Sequence, residues 1–492
     1  MKIILFALNA SFSHTNLAVR CLKTYVEKQE ENEFDIEIVE KHLKDRLDEV
    51  LFDLYDKKAD VYAFSSYIFN IDQVIYFAKA LKELLPQALF IFGGPEVSYD
   101  SQNFLKENPF VDFIIKDEGE EAFYELLKKI KKNKQSLNSL DKIIKGHKME
   151  SFEQAGIPYS IDDKFMGSII YYESSRGCPY KCSYCMSSLT RGVRAKSIED
   201  TLKDLYEFES FGDRVKVIKF VDRTFNFDIK RAKGILEGLL DEKYTKVYHL
   251  EIRAELIDQE LFDVLAKFPK NKLQIETGIQ STNYQTLEAI DRPSDIKKAL
   301  DNIKKLKEQD NINVHCDLIA GLPYDYMKTI EKGFNDIFYI SHEVQLGFLK
   351  LLKGAKIREN AKDHEYKFSS YAPYEILSNT YLSYNELFEL KRIAALTERF
   401  KNSVHFQNSL YKLIGLYNKG AFTFFRDLNT FANKHIASFS QHHAFMLLYD
   451  FAKKNIKDNV SQDDWHLLVD LIRSDYRVCQ NREASAYFSK EG

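Results

Sequence analysis

Short apolar runs alternate with amphipathic helical patterns through residues 1–353, and this alternation constrains the fold more than any other feature. In the first part of the chain the apolar runs are KIILFAL, FDIEIVE, DVYAFSSY, ALFIFGGP and VDFIIKDEGE. Runs of this length that are separated by helices form βαβ units around a mostly parallel sheet. We therefore predict an α/β fold that begins with a doubly wound, Rossmann-like domain over residues 1–135.

A second series of strands and helices follows a predicted linker at residues 136–164. Its strand signals are SIIYYESS, VKVIKFVD, KVYHLEIR, LQIETGIQ, NVHCDLIAG and LGFLKLLKG. Six βα repeats favour a partial (βα)6 barrel, assigned to residues 165–353, over the closed eight-stranded form. Residues 354–492 show helical spacing with many aromatic side chains, which predicts a helical C-terminal domain.

Charge and hydropathy disfavour several kinds of partner. The formal net charge is −4, so the chain lacks the basic character of a nucleic-acid-binding protein. The N-terminal run MKIILFALNA is too short to cross a bilayer, and no other segment approaches a membrane span. We expect a cytoplasmic protein with no membrane partner.

Three of the six cysteines, Cys178, Cys182 and Cys185, are concentrated in the segment RGCPYKCSYC, directly after the first strand signal of the second series. Zinc sites usually contain four protein ligands, and here no fourth cysteine or nearby histidine completes such a set. Three thiolates suit a [4Fe–4S] cluster whose fourth iron is open to another ligand. The spacing alone leaves a zinc site or a structural role open.

The segment RGCPYKCSYC resembles the CxxxCxΦC signature of radical S-adenosylmethionine (SAM) enzymes, with Tyr184 as the aromatic residue before the third cysteine. The resemblance implies that the open iron chelates SAM. It also implies that one-electron reduction, by a donor such as flavodoxin or ferredoxin, cleaves SAM to a 5′-deoxyadenosyl radical. The protein then supplies position and shielding for chemistry carried by the cofactor.

Four later strand ends resemble the second to fifth strand motifs of the same family: FVDRTFNFD, LEIRAEL, ETGIQS and DLIAGLP. SAM needs a donor for its carboxylate, acceptors for its ribose hydroxyls and apolar surroundings for its adenine. The candidate residues are Asp222, Glu251, Arg253, Glu276, Gln280, Ser281, Asp317 and Ile319. The alternative is an ion-pair network at the barrel mouth that binds no ligand. Cys316 and Asp317 point to opposite faces of their strand, and the sequence does not say which faces inward.

Polar and small residues follow four strands of the first domain, where an open α/β sheet binds its ligands. The segments FSSYIFN, FGGPEVS and IIKDEGEEAF, in this order before such a barrel, resemble the cobalamin-binding domain of cobalamin-dependent radical SAM enzymes. The candidate contacts are Asn9, Ser11, His14, Thr15, Ser65, Ser66, Tyr67, Gly93, Gly94, Pro95, Glu96, Val97, Glu118, Gly119 and Glu120. The glycines would let the backbone approach a corrin ring. Ser65, Ser66 and Glu96 would hydrogen-bond to its side groups, and the turn at 118–120 would close the rim.

The motif DxHxxG, which supplies a histidine to cobalt in other B12 domains, is absent. We therefore expect a displaced base and no histidine on the metal, with His14 as the rival ligand.

The resemblance extends to the C-terminal segment, which is similar to the uncharacterised domain that ends one subgroup of these proteins. It implies a cobalamin-dependent C-methyltransferase that acts on a small-molecule or otherwise unidentified substrate. The alternatives are a rearrangement or cyclisation enzyme, a tRNA-modifying radical SAM enzyme, and a sensor that binds the cluster and B12 without catalysis.

Overall fold

The computed structural model describes residues 1–29, 34–132, 140–149, 156–160, 168–190, 192–432, 440–481 and 487–488. The first domain is built on a six-stranded parallel sheet with the strand order β2-β1-β3-β4-β5-β6. Its strands are β1 (Lys2–Asn9), β2 (Asp35–His42), β3 (Val61–Ser65), β4 (Leu89–Gly93), β5 (Phe113–Lys116) and β6 (Ile143–Lys145). Strand β6 lies in the predicted linker, so the sheet extends past the boundary predicted at residue 135.

Helices cover both faces of this sheet, as the predicted doubly wound fold requires. They are α1 (Leu17–Glu27), α2 (Leu47–Asp56), α3 (Ile71–Leu84), α4 (Pro95–Ser98), α5 (Ser101–Glu107) and α6 (Glu120–Lys132). Ile4 and Phe6 of β1 lie in one apolar core, and Ile3 and Leu5 lie in another on the opposite face. A strand that is buried on both faces has a continuous apolar sequence, which explains the run KIILFAL.

The second domain contains six parallel strands in consecutive spatial order, which confirms the predicted partial barrel. These strands are β7 (Ile169–Tyr172), β10 (Val217–Phe220), β11 (Val247–Ile252), β12 (Leu273–Gln280), β13 (Asn313–Ala320) and β14 (Glu343–Phe348). The last strand begins before the predicted run LGFLKLLKG and ends within it. Leu349 and Leu351, beyond the strand, are buried in the core shared with the C-terminal segment.

The barrel helices alternate with these strands. They are α7 (Ile198–Glu207), α8 (Ile229–Gly238), α9 (Gln259–Leu265), α10 (Tyr284–Ala289), α11 (Ile296–Gln309) and α12 (Met327–Phe338). Along β12 and β13, fully buried side chains alternate with partly exposed ones. The buried set packs under the helices, so the other set forms the inner face of the barrel.

A short antiparallel hairpin, β8 (Ser175–Arg176) and β9 (Arg194–Ala195), follows the first barrel strand. The cysteine segment lies in the loop that this hairpin closes. We call residues 177–193 the cysteine loop. The loop therefore begins at the carboxyl end of β7, the end of a βα barrel at which active sites lie.

The C-terminal region is mostly helical, as predicted. It contains α13 (Lys356–Glu359), α14 (Tyr384–Phe400), α15 (Gln407–Tyr417), α16 (Ala421–Phe431), α17 (Gln441–Asn455) and α18 (Gln462–Gln480). It also contains an unpredicted hairpin, β15 (Lys367–Phe368) and β16 (Ile376–Ser378), whose strands are too short to show a period in the sequence. No helix in the described ranges is long and apolar enough to span a membrane.

Candidate functional site

Backbone contacts hold the cysteine loop in place at its base and at its middle. Gly177 has a φ of +101°, and a Cβ atom there would overlap the carbonyl oxygen of Gly192. Only glycine fits such a close approach at a positive φ. In the middle of the loop, the Ser183 N–H donates to Ile290 O at 2.9 Å, and the Ile357 N–H donates to Ser183 O at 2.9 Å. The loop is thus fixed to the barrel and to the C-terminal region.

The three cysteines are unbonded thiols in partly or fully buried surroundings. The Cys178 Sγ lies 3.9 Å from Thr224 Oγ1, and burial raises the pKa of the Cys178 thiol. The Arg292 Nη1 donates to Cys182 Sγ at 3.7 Å. Across the described ranges, no three Cys, His, Asp or Glu side chains are gathered around a position for a single metal ion. Cluster ligands bind different irons, so they need not converge on one point.

Asp222, a predicted SAM residue, lies beneath the cysteine loop. Its carboxylate accepts hydrogen bonds from the backbone and hydroxyl of Ser174 at 2.8 and 2.6 Å, and from those of Ser175 at 3.1 and 2.6 Å. Burial raises the pKa of this carboxyl despite these four donors. Arg231 Nη2, which the sequence analysis missed, donates to Ser174 O at 3.0 Å. Asp222 therefore orders the two residues that lead into the loop.

Arg253 lies beside the loop with one donor unused. Its guanidinium carbon is 3.9 Å from the ring centre of Tyr180, a loop residue that the sequence analysis did not single out. Its Nε donates to Glu255 Oε1 at 2.7 Å, and its Nη2 donates to Pro293 O at 2.8 Å. The buried Nη1 has no hydrogen-bond partner among the residues that the structure describes. A buried, unpaired guanidinium donor fits a carboxylate that a ligand would supply.

Gln280 and its neighbours lie at the end of β12 in an irregular backbone. Gln280 has a φ of +68°, and the strand pairing shifts register between Gly278 and Gln280. The Gln280 side chain folds over Gly278, where a Cβ atom would overlap its amide nitrogen. Its buried Oε1 has no hydrogen-bond partner within the described part of the chain. Backbone strain and an unpaired polar atom at one residue are typical of a binding site. Ser281 is buried next to it, and Ile319 is a half-buried apolar residue of the inner face.

Charged residues line the inner face of the barrel. Glu276 Oε2 lies 2.9 Å from His249 Nε2 and 3.1 Å from Lys219 Nζ, and these partners hold the pKa of Glu276 at about 2. Glu251, beside it on β11, has no hydrogen bond or ion pair to any described residue. The predicted ion-pair network therefore includes Glu276 but not Glu251. The inner face also carries Asp317, whose Oδ1 lies 3.1 Å from His315 Nε2.

The structure settles the orientation of Cys316, which the sequence left open. Cys316 is fully buried in the outer core, and Asp317 lies on the inner face.

In the first domain, Ser66 and Gly94 form a close backbone contact. The Ser66 N–H donates to Gly93 O at 2.8 Å, and a Cβ atom on Gly94, at φ +112°, would lie 2.5 Å from Ser66 O. Ser66 is fully buried, and no described residue forms a hydrogen bond with its Oγ. An unpaired buried hydroxyl beside a glycine turn fits a polar ligand at the carboxyl edge of the sheet.

The loop after β1 reaches the barrel. His14 Nδ1 contacts the Tyr171 hydroxyl on β7, and burial together with Lys219 lowers the pKa of His14. Thr15 Oγ1 lies 3.3 Å from the Tyr159 hydroxyl. The remaining predicted residues of these first-domain loops lie at the carboxyl edge of the sheet or in its core: Asn9, Ser11, Ser65, Tyr67, Gly93, Pro95, Val97 and Gly119.

Three predicted rim residues are bound to other parts of the protein. Glu96 Oε1 lies 3.0 Å from Lys353 Nζ and also contacts the Tyr374 hydroxyl. Glu118 and Glu120 pair with Arg176, at the base of the cysteine loop. Neither the spacing nor the composition of the sequence indicated these partners, because each pair is far apart along the chain.

Three segments of the chain match known families in the predicted order. Residues 3–127 match the B12 binding domain, and residues 172–337 match the radical SAM superfamily. Residues 362–491 match a protein family of unknown function, DUF4080.

Individual proteins are also similar to this chain. The chain is 26% identical over 339 residues to the cobalamin-dependent radical SAM methyltransferase TokK of Streptomyces tokunonensis. That match covers 62% of this chain and 49% of TokK, so the chain spans about half the length of that relative. The fold is similar to that of OxsB, a cobalamin-dependent SAM radical enzyme solved with aqua-cobalamin and SAM bound. The TM-score is 0.63 at 13% identity, covering 98% of this chain and 80% of OxsB. TsrM of Kitasatospora setae, solved with cobalamin and a [4Fe–4S] cluster, has a TM-score of 0.59 at 13% identity, covering 78% of each chain.

Proposed function

We propose that this chain, in which residues 3–127 match the B12 binding domain and residues 172–337 match the radical SAM superfamily, is a cobalamin-dependent methyltransferase. Its substrate would be a small molecule whose carbon–hydrogen bond is replaced by a carbon–methyl bond. The chemistry supplied by the bound groups would be reductive cleavage of SAM at the cluster and methyl carriage on cobalamin. The electron would come from a donor such as flavodoxin or ferredoxin.

The observation that carries this proposal is the position of the cysteine loop. Cys178, Cys182 and Cys185 follow the first strand of a parallel barrel, in a loop whose base contacts the B12 binding domain. Cofactors held by the two domains would therefore share one interface. The three thiolates would hold a cluster with one open iron, as the resemblance of RGCPYKCSYC to the radical SAM signature implies.

Two side chains beside the loop suit the polar ends of SAM. The unpaired Nη1 of Arg253 would receive the carboxylate of SAM, and Tyr180 keeps this guanidinium in place by stacking on it. The unpaired Oε1 of Gln280 would accept from a ribose hydroxyl. Ile319 would supply apolar contact for the adenine. Asp222 acts on the loop rather than on SAM, because its oxygens already accept four hydrogen bonds.

In the first domain, Ser66 and Gly94 are the residues that best suit cobalamin. The unpaired Ser66 hydroxyl would donate to an acceptor of the cofactor, and the turn at Gly93 and Gly94 would let a corrin ring approach the backbone. His14 is already in contact with Tyr171, which supports our expectation that it does not bind cobalt. Glu96 would at most contact the edge of the corrin ring, since its carboxylate already binds Lys353 and Tyr374.

The proposal is tested by anaerobic reconstitution with iron, sulfide and hydroxocobalamin, followed by desalting and metal analysis. We expect about four irons and one cobalt per chain, as a single [4Fe–4S] cluster and one corrin require. A variant with all three loop cysteines changed to alanine should lose the iron and keep the cobalt. Iron without cobalt in the wild-type protein would contradict the role assigned to the first domain.

Methyl transfer is tested separately from cofactor binding. With SAM and a strong reductant, the reconstituted protein should form 5′-deoxyadenosine, and the cysteine variant should not. Metabolites of cells with and without the gene should then differ by one methyl group. A mass change other than one methyl would favour rearrangement or cyclisation, and absence of 5′-deoxyadenosine would favour a sensor.

A further inference from the structure

Arg176, two residues before the first loop cysteine, is surrounded by three carboxylates. Its Nη2 lies 2.7 Å from Glu173 Oε2 and 2.8 Å from Glu120 Oε1, and its Nη1 lies 3.0 Å from Glu118 Oε2. Glu173 belongs to the barrel, whereas the other two carboxylates belong to the first domain. The guanidinium therefore joins the base of the cysteine loop to another domain.

The opposite end of the loop also contacts the Glu118 carboxylate. Arg194 pairs with Arg176 across the β8–β9 hairpin, and its guanidinium binds both oxygens of Glu118. Its Nη1 also donates to Met149 O at 2.7 Å. The two arginines that bracket the loop thus share one carboxylate. We call Arg176, Arg194, Glu118 and Glu120 the interdomain clamp.

The burial and geometry of the clamp suit it to fix the orientation of the cysteine loop relative to the first domain. The side chains of Arg176, Glu118 and Glu120 are only 17%, 12% and 6% exposed. Charges at such sites depend strongly on their partners, since loss of one partner leaves the other without compensation. The planar guanidinium also fixes the direction of each contact, which an ammonium group cannot do. Glu120 lies in the first turn of α6, where the helix dipole favours a carboxylate.

From this geometry we infer that Arg176 is a positioning residue, which docks the cysteine loop on Glu118 and Glu120 so that the cluster site keeps a set distance from the B12 binding domain. The inference rests on the proposed function, because it requires a cluster in the loop. It also changes the role of Glu118 and Glu120, which the sequence suggested as part of the corrin rim. In this inference Glu118 and Glu120 bind Arg176 and so hold the cysteine loop in place.

The test compares reconstituted full-length variants under anaerobic conditions. Arg176→Gln and the double variant Glu118→Gln/Glu120→Gln each break the clamp, and a third protein combines all three changes. The matched control is Lys353→Gln. It breaks an equally buried ion pair, 18% and 5% exposed, between the first domain and a segment outside the loop. Iron release to a chelator, cobalt per chain and the thermal midpoint are measured for each protein.

We expect iron release to be about tenfold faster in Arg176→Gln and in the double variant, with cobalt unchanged. The combined protein should release iron more slowly than the product of the two separate effects predicts, because both changes remove the contacts of Arg176 with Glu118 and Glu120. Arg176→Lys should be intermediate. The EPR spectrum of the reduced cluster should respond less to SAM in the clamp variants than in Lys353→Gln, at temperatures where all the proteins are folded.

Loss of cobalt from the double variant with unchanged iron release would overturn the inference. It would instead support the predicted role of Glu118 and Glu120 at the corrin rim. Equal acceleration in Lys353→Gln would also overturn it, since any weakened domain contact would then suffice. If the wild-type protein takes up iron and the clamp variants release it at the wild-type rate, the inference about the clamp is overturned while the proposed function stands. A wild-type protein that takes up no iron would instead overturn the proposed function.

Discussion

Glu251 and Glu276 lie directly opposite each other on the neighbouring parallel strands β11 and β12, yet their pKa values move in opposite directions. Burial and the charge of Glu276 raise the pKa of Glu251. Glu276 is also penalised by burial, but hydrogen bonds from His249 and Lys219 outweigh that penalty and lower its pKa to about 2. The two carboxylates share one inner face and have different partners, which makes them a useful pair for experiments.

Glu276→Gln should destabilise the protein at neutral pH. The folded-state pKa of about 2 is below the ordinary value of 4.5, so the ionised group contributes stability above about pH 4.5. We expect a loss of about 1–3 kcal/mol at pH 7, seen as a thermal midpoint several degrees lower. The difference from wild type should shrink as the pH falls from about 4.5 towards 2. A difference that is constant with pH would show that the charge of Glu276 is not responsible.

Glu251→Gln should have the opposite effect. Its folded-state pKa is raised, so ionisation costs stability at pH values above that pKa, and the amide removes this cost. The thermal midpoint at pH 7 should stay level or rise, and any gain should vanish as the pH falls to the ordinary value of 4.5. A fall as large as that of Glu276→Gln would mean that Glu251 has a stabilising partner.

Gly177→Ala should prevent the cysteine loop from closing. The added Cβ would overlap Gly192 O, and backbone atoms cannot move aside as a flexible side chain can. We expect iron per chain after reconstitution to fall by more than half. Gly192→Ala is the matched control, because Gly192 also has a positive φ, of +77°, but no atom of the described residues outside its chain neighbours lies within 4 Å of its Cβ position. Similar iron loss from both variants would show that strain at a positive φ, rather than overlap with Gly192 O, causes the effect.

Asp222→Asn should weaken the base of the same loop. The amide nitrogen cannot accept the hydrogen bonds that the Ser174 and Ser175 hydroxyls now donate, so buried polar atoms lose their partners. We expect destabilisation of about 2–4 kcal/mol, together with faster release of iron. Asp258→Asn, at the exposed start of α9, is the control, since asparagine caps a helix as well as aspartate does. Wild-type behaviour of Asp222→Asn would contradict this role.

Gly93→Ala tests the corrin site without disturbing the fold. The nearest atom to the added Cβ would be Ile115 O at 3.8 Å, an ordinary contact, so stability and iron content should be unchanged. If a corrin ring lies against this turn, cobalt per chain should fall several-fold, because the methyl group occupies its place. An unchanged cobalt content in Gly93→Ala would contradict a corrin contact at Gly93.

The alternation of apolar runs was sufficient to predict both parallel sheets, since each βα unit has a local period that does not depend on distant residues. The cysteine motif was equally local, because Cys178, Cys182 and Cys185 are only seven residues apart from first to last. Several short strands escaped prediction, among them β6, β8, β9, β15 and β16. They have only two or three residues each and exist because a neighbouring strand pairs with them.

The partners of the charged residues were decided by the tertiary structure alone. The sequence placed Glu96, Glu118 and Glu120 at strand ends facing a ligand, and the structure pairs them with Lys353 and Arg176, more than 50 residues away. It likewise turned Asp317 inward and Cys316 outward, a choice that strand alternation leaves open. A periodic pattern records which side chains share a face, because that depends on local backbone geometry. Which domain then packs against that face depends on contacts that no local pattern encodes.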